Sequence, residues 1–527
     1  MKRLIYFLLF VLAGSLFFTG CSSDKDDTQP TPTAPEIKTP LKPGNDLYGM
    51  ILDASGTPLT GIVVSDGFSC VESDENGVYQ MARNKDAFHV YYRIPADREI
   101  QMANGLPCFW QRLSKSQKRY DFTLGAKQAV ETKFKLFCIA DPQVQTDADI
   151  ARFKQETVPD IKKHAAGMDT PVYGITLGDV VFNTDSKYVT PATMGQMATA
   201  MQQSNIGIKV FQVMGNHDNC TSPKISDGSS TIDLAAQRDF EAKFGPVNYS
   251  FDRGNAHIIG MDDILCTNPS VYDGGFTDAQ VEWLRQDLKS VAKDKMVILC
   301  VHIPLRNGTA RNMSAVRDLL KGFAETHIMA GHTHYAQNYI DTSRKIYEHI
   351  HGAACGAWWK STINVDGTPN GYGVYEMDGP SIINWYYKST CLDEQFQVRM
   401  YRGDERFAYN SFQQFTYHAS NQIVANIWNT DATNWKVEVY ENGSKTGEMI
   451  RYKDGDAWAI GYHVGILGAS SSHVRTGFDH FYYYTLKNET AAVEIRATDK
   501  FGNVYKQNKF TTNSQTDYPS VENYPRQ

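Results

Sequence analysis

Five short motifs in the middle of this 527-residue chain carry side chains that can bind metal ions. In chain order they are Asp141-Pro142-Gln143, Gly178-Asp179, Gly215-Asn216-His217-Asp218, His302-Ile303-Pro304 and Gly331-His332-Thr333-His334. Their carboxylate, amide and imidazole groups together suit borderline divalent cations. Each motif alone is weak evidence, because a single Gly-Asp or His-x-Pro usually belongs to a turn or a packed core. The ordered set in one segment predicts a metal-dependent active site.

Each motif follows a stretch that predicts a β-strand. These predicted strands cover residues 134–140, 172–177, 208–213, 296–301 and 327–329, with another over 256–261. Helical patterns lie between them, over 278–292 and over 149–165, where Ile150, Phe153, Val158 and Ile161 form one apolar stripe. The alternation predicts an α/β, layered core. Loops at the carboxyl ends of its strands would carry the ligands.

The ordered set resembles the calcineurin-like metallophosphoesterases in their Asp-Pro-Gln variant. Its most specific part is the pairing of Gly215-Asn216-His217-Asp218 with Gly331-His332-Thr333-His334. The resemblance implies a β-sandwich core flanked by helices, with two divalent metal ions between the loops. It implies one ion held by Asp141, Gln143, Asp179 and His334, and a second held by Asp179, Asn216, His302 and His332. His217 would protonate the leaving oxygen or steady the phosphoryl group.

Two positions depart from the commonest pattern of that family. Gln143 stands where a histidine is usual, and an amide oxygen is a poorer donor than imidazole. We therefore expect looser binding at that ion and a preference for Mn or Fe over Zn. Phe182 stands where many relatives have the aspartate that orients the catalytic histidine. The partner of His217 is thus open, since the sequence does not fix where the adjacent Asp218 points.

The expected mechanism follows from charge. Two cations roughly 3.5–4 Å apart would lower the pKa of a bridging water and supply hydroxide as the nucleophile. The same ions would offset the charge that develops on the phosphoryl oxygens. This predicts a hydrolase of phosphate monoesters or diesters. The alternative is a non-catalytic surface lipoprotein that binds glycan or cell wall and keeps a vestigial metal site, although every expected ligand position holds a plausible donor.

The amino terminus predicts export and lipid attachment. Residues 1–20 contain a short basic start and an apolar run typical of a signal peptide, and Cys21 follows a small residue, as in bacterial lipoproteins. Residues 21–45, rich in Pro, Thr and Asp, predict an extended tether. We therefore expect an outer-membrane lipoprotein of the cell envelope, anchored through Cys21 and either periplasmic or surface-exposed.

The rest of the chain predicts two β-rich flanking domains around the catalytic segment 130–390. Residues 46–125 resemble a carboxypeptidase regulatory-like, transthyretin-type β-sandwich, and residues 391–527 predict a second sandwich. The net charge of -7 gives no basic surface, so nucleic-acid binding is not expected. A Gly- and Trp-rich stretch at 352–359 has two interpretations, the mouth of the substrate site or packing at the core edge, and the second is favoured.

Overall fold

A computed structural model describes residues 35–182, 192–218, 229–268, 271–306, 309–407, 415–469, 473 and 475–512. The predictions for the signal segment 1–20 and for Cys21 lie outside these residues, as does most of the tether. Among the described residues, none of the helices combines the length and the apolar character needed to cross a bilayer. The described residues from Ile37 onward belong to one compact unit.

Residues 46–125 form two main sheets, one of three strands and one of four, as the prediction of a sandwich requires. Their orders are β4-β1-β9 and β3-β2-β5-β8, with β6 and β7 as a separate pair. The strands are β1 (Leu47–Asp53), β2 (Val63–Ser65), β3 (Cys70–Glu72), β4 (Val78–Met81), β5 (His89–Tyr92), β6 (Met102–Ala103), β7 (Leu106–Pro107), β8 (Trp110–Arg112) and β9 (Phe122–Leu124).

The central segment is built on two larger sheets. Their orders are β12-β11-β10-β21-β22 and β13-β14-β17-β18-β20-β19, and β15 pairs with β16. The strands are β10 (Lys133–Ile139), β11 (Val172–Thr176), β12 (Lys209–Phe211), β13 (Tyr249–Arg253), β14 (Ala256–Gly260), β15 (Ile264–Asn268), β16 (Val271–Gly274), β17 (Met296–Cys300), β18 (Thr326–Ala330), β19 (Gln337–Asp341), β20 (Ile346–Ile350), β21 (Gly371–Asp378) and β22 (Ser381–Ser389).

Helices cover the outer faces of these two sheets. They are α1 (Asp147–Arg152), α2 (Val158–Ala166), α3 (Ala192–Ala200), α4 (Gln203–Ile206), α5 (Ile232–Phe244), α6 (Asp278–Lys289) and α7 (Met313–Leu319). Along β10, Leu136 and Cys138 point into the core between the sheets, whereas Phe137 and Ile139 pack against helical residues. This alternation follows from the two-residue repeat of a strand. It confirms the predicted layered α/β fold.

The helix predicted over 149–165 is interrupted. A π-helical turn, Phe153–Thr157, lies between α1 and α2. In the predicted stripe, Val158 comes five positions after Phe153, which is more than one α-helical turn, and a π turn absorbs the extra residue. Both side chains, with Ile150 and Ile161, are therefore buried on the same face.

The strand predicted over 208–213 is shorter than expected. β12 ends at Phe211, and the backbone N–H of Val213 donates to Thr176 Oγ1 over 3.2 Å instead of continuing the ladder. The chain therefore leaves the sheet after Phe211, and the residues from there to Gly215 form a loop at the ends of the strands.

The carboxyl-terminal part contains two four-stranded sheets, β23-β24-β28-β27 and β26-β25-β29-β30. The strands are β23 (Arg399–Arg402), β24 (Gln422–Asn426), β25 (Lys436–Glu441), β26 (Ser444–Glu448), β27 (Ile450–Asp454), β28 (Phe478–Thr485), β29 (Val493–Thr498) and β30 (Val504–Gln507), with the short helix α8 (Ala457–Ile460) before β28. Buried Trp458 and Phe481 share one apolar cluster with Ile363 and Val365 from the central segment. The exact domain boundaries stay predictions.

Candidate metal centre

The candidate ligands follow strands that run parallel within each of the two central sheets. Asp141 follows β10, Asp179 follows β11 and Asn216 follows β12, which pair in parallel. His302 follows β17, and both His332 and His334 follow β18, its parallel neighbour in the other sheet. Because parallel strands end at the same edge, the loops of each sheet meet there. Residues separated by up to 191 positions are thereby brought into hydrogen-bonding contact.

Asn216, His302 and His332, which we call the paired-histidine half, surround one point together with Asp179. One ligand atom each from Asp179, His302 and His332 lies within 4.8 Å of the others. Asn216 Oδ1 is 2.9 Å from both His302 Nε2 and His332 Nδ1, and those nitrogens are 3.1 Å apart. His302 Nε2 is 3.3 Å from Asp179 Oδ2. Four donors of the predicted second ion are therefore assembled.

Asp141, Gln143 and His334, which we call the Gln143 half, contact one another less completely. His334 Nε2 lies 3.5 Å from Asp141 Oδ1. Gln143 Nε2 donates to Asp179 Oδ2 over 3.1 Å, while Gln143 Oε1 is buried without a hydrogen-bond partner among the described residues. The structure thus brings Gln143 to the site but turns its nitrogen, not its oxygen, toward the shared carboxylate. Its role as a ligand stays a prediction.

An unusual backbone conformation aims most of these side chains. The φ angles are +47° at Asp141, +40° at Gln143, +51° at Asp179, +69° at His332 and +55° at His334. Non-glycine residues seldom adopt positive φ, and such strain concentrates at functional sites. Hydrogen bonds hold the conformation, because the His332 N–H donates to both oxygens of Asp141 and the His217 N–H donates to Asp179 Oδ1 over 2.8 Å.

Two positions that precede candidate ligands must be glycine, because a side chain there would collide with the carboxylate of another loop. A Cβ atom on Gly215 would lie 2.3 Å from Asp179 Oδ1, and one on Gly331 would lie 2.6 Å from Asp141 Oδ2. Such distances are not tolerated by real Cβ atoms. Each glycine therefore makes room for the carboxylate of a different loop.

A carbonyl and a carboxylate orient His302. The carbonyl oxygen of Leu177 lies 2.8 Å from His302 Nδ1, so Nδ1 keeps its proton and Nε2 is the nitrogen that faces the other donors. Buried Asp263 accepts hydrogen bonds from the backbone N–H groups of His302 and Ile303. No catalytic role was predicted for Asp263. The structure shows it fixing the loop that carries this ligand.

The charges of the cluster favour a cation between the halves. Burial opposes a charge on His302, but the charge of Asp179 outweighs it and raises the pKa of His302 to about 10, so an ion at Nε2 would take the place of a proton there. Burial lowers the pKa of His332 to about 4, with the His302 charge adding to the effect. Burial raises the pKa of Asp141 to about 8. Buried carboxylates and lone-pair nitrogens around one point are the donor set that a divalent ion fits.

His217 finds its partner in the backbone. Its Nδ1 lies 2.5 Å from the carbonyl oxygen of Phe182, and the rings of the two residues are 4.7 Å apart. A carbonyl only accepts, so Nδ1 carries the proton and Nε2 remains to exchange one. Asp218 points elsewhere, because it accepts from the backbone N–H groups of Val180, Val181 and Gly215. The partner of His217 is therefore a backbone carbonyl, which no pattern of side chains in the sequence indicates.

The favoured interpretation of the stretch 352–359, packing at the core edge, holds for Trp358, which packs against the apolar cluster that contains Ile363 and Val365, but this residue has a second role. Trp358 stacks on the ring of His334, with centroids 4.6 Å apart and planes 26° apart, and so belongs to the metal centre. Trp359 fits the core-edge interpretation better, since it is buried and its Nε1 donates to the Pro142 carbonyl over 2.8 Å. Both tryptophans have positive φ. Nothing in the apolar pattern distinguishes them.

Three family models match successive parts of the chain. Residues 134–336 match the model described as Calcineurin-like phosphoesterase. Residues 45–127 match the model described as N terminal of Calcineurin-like phosphoesterase, and residues 348–505 match the corresponding C terminal model. The chain belongs to the calcineurin-like phosphoesterases.

Individual relatives are more distant. A probable cyclic nucleotide phosphodiesterase from Rhodococcus erythropolis is 29% identical over 140 residues, which is 25% of this chain and 42% of that protein. Similar solved structures include a 5'-nucleotidase precursor from Thermus thermophilus, at 9% identity over 49% of this chain and 55% of that chain, with a TM-score of 0.30. A purple acid phosphatase from yellow lupin seeds matches at 13% over 61% and 56%, with a TM-score of 0.34. The assignment therefore rests on the family models.

Proposed function

We propose that this chain hydrolyses phosphate esters at the cell envelope with two divalent metal ions. The observation that carries the proposal is the convergence of Asp179, His302 and His332, whose ligand atoms lie within 4.8 Å of one another. Asn216 completes this half from a fourth loop. The Gln143 half would hold the other ion, and Asp179 would serve both.

The ions, when bound, would supply positive charge for the phosphoryl oxygens and would acidify water. The protein's own part is to hold the donors before substrate arrives. Asp141 and Asp179 are fixed by backbone N–H groups, and His302 is fixed by the Leu177 carbonyl. When ligand side chains are already in position, none of the free energy of ion binding is lost in ordering them. The buried Gln143 Oε1, which lacks a partner among the described residues, is the donor that an ion would satisfy.

His217 would manage the proton of the leaving group. Its Nδ1 proton is committed to the Phe182 carbonyl, so the acidic position is Nε2. A histidine protonated there can donate to the departing alkoxide oxygen. The backbone N–H of the same residue holds Asp179, which couples the position of the acid to that of the shared ligand.

The choice between monoester and diester stays open in this proposal. The partial relative from Rhodococcus carries a name that specifies cyclic nucleotides, but this chain spans only 42% of its length. Cyclic nucleotides therefore join nitrophenyl phosphate, bis-nitrophenyl phosphate and pyrophosphates in the substrate panel, tested across Mn, Fe and Zn. The non-catalytic glycan-binding alternative gains no support from a site whose donors are held in place.

Turnover and metal content together test the proposal. Purified protein with Mn should hydrolyse at least one nitrophenyl ester and should contain two equivalents of metal by mass spectrometry. Chelation should remove both properties, and added Mn should restore both. Full turnover after stoichiometric metal loss would contradict the metal-dependent mechanism, and one equivalent at saturation would contradict the two-metal proposal.

The envelope location has its own test. The basic and apolar start, followed by Cys21, supports it. In a bacterial host, the full-length chain should partition with membranes and incorporate labelled palmitate, whereas Cys21→Ser should do neither. Labelling that persists in Cys21→Ser would contradict the anchor.

A further inference from the structure

A basic cavity lies beside the metal centre, at the junction with the carboxyl-terminal strands. Its volume is about 930 Å³. Arg306, Arg451, Lys453 and Arg475 line it, and Asp479 is the only carboxylate among the described residues of its wall. Four cationic side chains against one anionic side chain create a local positive potential in a protein whose net charge is -7.

Most of this positive charge is not neutralised by the protein. Within the described parts of the chain, Arg451 pairs with Asp479 at 3.4 Å, but Arg306, Lys453 and Arg475 form no ion pair. In the same parts, Arg451 Nε is buried without a hydrogen-bond partner. Burying a donor of a guanidinium without a partner costs free energy. An anionic ligand would supply the missing acceptor.

The cavity is connected to the loops that carry the metal ligands. Arg475 Nη1 donates to the carbonyl of Thr333, which lies between His332 and His334. Tyr335, the next residue after His334, accepts a hydrogen bond from Arg306 Nη2 over 2.9 Å. Arg306 itself lies four residues after His302, in the same loop. A substrate with its ester at the metal centre would therefore reach the cavity with its other end.

We propose that this cavity binds a second phosphate group of the substrate, so that the enzyme prefers phosphoesters that carry another phosphate at a distance. Guanidinium groups match phosphate geometry, and a lysine adds a point charge. The inference deepens the proposed function and rests on it for the position of the first phosphoryl group.

Binding of phosphonates tests this subsite without turnover, because their carbon–phosphorus bonds are not hydrolysed. The full chain loaded with Mn would be titrated calorimetrically with α,ω-alkane bisphosphonates of increasing length and with the matching monophosphonates. At one length, the bisphosphonate should bind about tenfold more tightly, the advantage expected of charged hydrogen bonds. In Arg451→Gln/Lys453→Gln, the ratio should fall to near one. Lys506→Gln, an exposed lysine on β30, is the matched control and should keep it.

Two further measurements keep the outcomes separate. Should the double variant not fold, Lys453→Gln alone should still reduce the ratio, because Lys453 is exposed. Equal affinity for both ligands at every length, or a ratio unchanged in folded variants, would overturn the subsite, even if free inorganic phosphate binds in the cavity. Failure to hydrolyse any nitrophenyl ester would instead overturn the phosphoesterase proposal, while the bisphosphonate ratio in wild type and variants still decides the subsite.

Discussion

The two halves of the metal centre differ in how completely their donor atoms contact one another. In the paired-histidine half, Asn216 Oδ1 lies 2.9 Å from both ring nitrogens, and ligand atoms of Asp179, His302 and His332 lie within 4.8 Å of one another. In the Gln143 half, the contacts are pairwise, and one amide oxygen is left without a partner among the described residues. Under the two-metal proposal, the fold forms the site of the paired-histidine half, whereas the ion itself completes the site of the Gln143 half. We therefore expect the two ions to bind with unequal affinity.

The largest effect should come from the residue that both halves share. Asp179→Asn removes the charge that balances His302 and that both ions would use. We expect loss of both metals and a fall in turnover of at least about a thousandfold, since metal charge stabilises the transition state by several kcal/mol. Metal analysis and bis-nitrophenyl phosphate hydrolysis measure the two losses. Asp294→Asn, an exposed carboxylate, is the control. Retention of one tightly bound ion would show that the halves do not depend on a common carboxylate.

His217 lies outside both halves, so its loss should separate chemistry from metal binding. His217→Asn should lower kcat about a hundredfold for an alkyl phosphate, as expected for a lost general acid. The effect should be smaller for nitrophenyl phosphate, whose leaving group needs no proton. Metal content should stay at the wild-type value. An equal loss for both substrates would argue that His217 supports the metal centre through its N–H bond to Asp179 and not as an acid.

The sequence predicted the candidate ligands better than the groups that hold them in place. Asp141, Asp179, His302 and His332 could be found because each donor follows a strand, and strands have a readable apolar pattern. The partner of His217 could not be found, because the Phe182 carbonyl is a backbone group that every residue possesses. The role of Asp263 could not be found either, because its hydrogen bonds reach residues 39 and 40 positions away. The π turn after α1 could not be predicted from the sequence, because the same apolar spacing also fits a continuous α-helix to within one residue.

Replacing Gln143 by the histidine that is usual in the family tests the Gln143 half directly. Gln143→His should tighten binding of the weaker ion by about tenfold, the lower end of changes seen when ligand surroundings are altered. The preference among metals should move toward Zn, because imidazole suits Zn better than an amide oxygen does. Competitive titration of Mn and Zn measures both shifts, with Gln145→His as a neighbouring control. Unchanged affinity would mean that residue 143 does not face the ion.

The smallest effect tests whether the stack on His334 matters to the same half. Trp358 covers one face of His334, and aromatic pairs of this kind contribute about 0.5–1.5 kcal/mol beyond the area that they bury. Trp358→Leu should therefore weaken binding of the ion in the Gln143 half by about fivefold, which corresponds to the middle of that range. Trp358→Phe should recover most of the loss, because a ring remains over the imidazole. The ion of the paired-histidine half should be indifferent to both substitutions, since Trp358 makes its ring contacts with His334 and His473. Equal weakening of both ions in a metal titration would show that Trp358 supports the whole centre, and the distinction between the halves would then lie in their ligands alone.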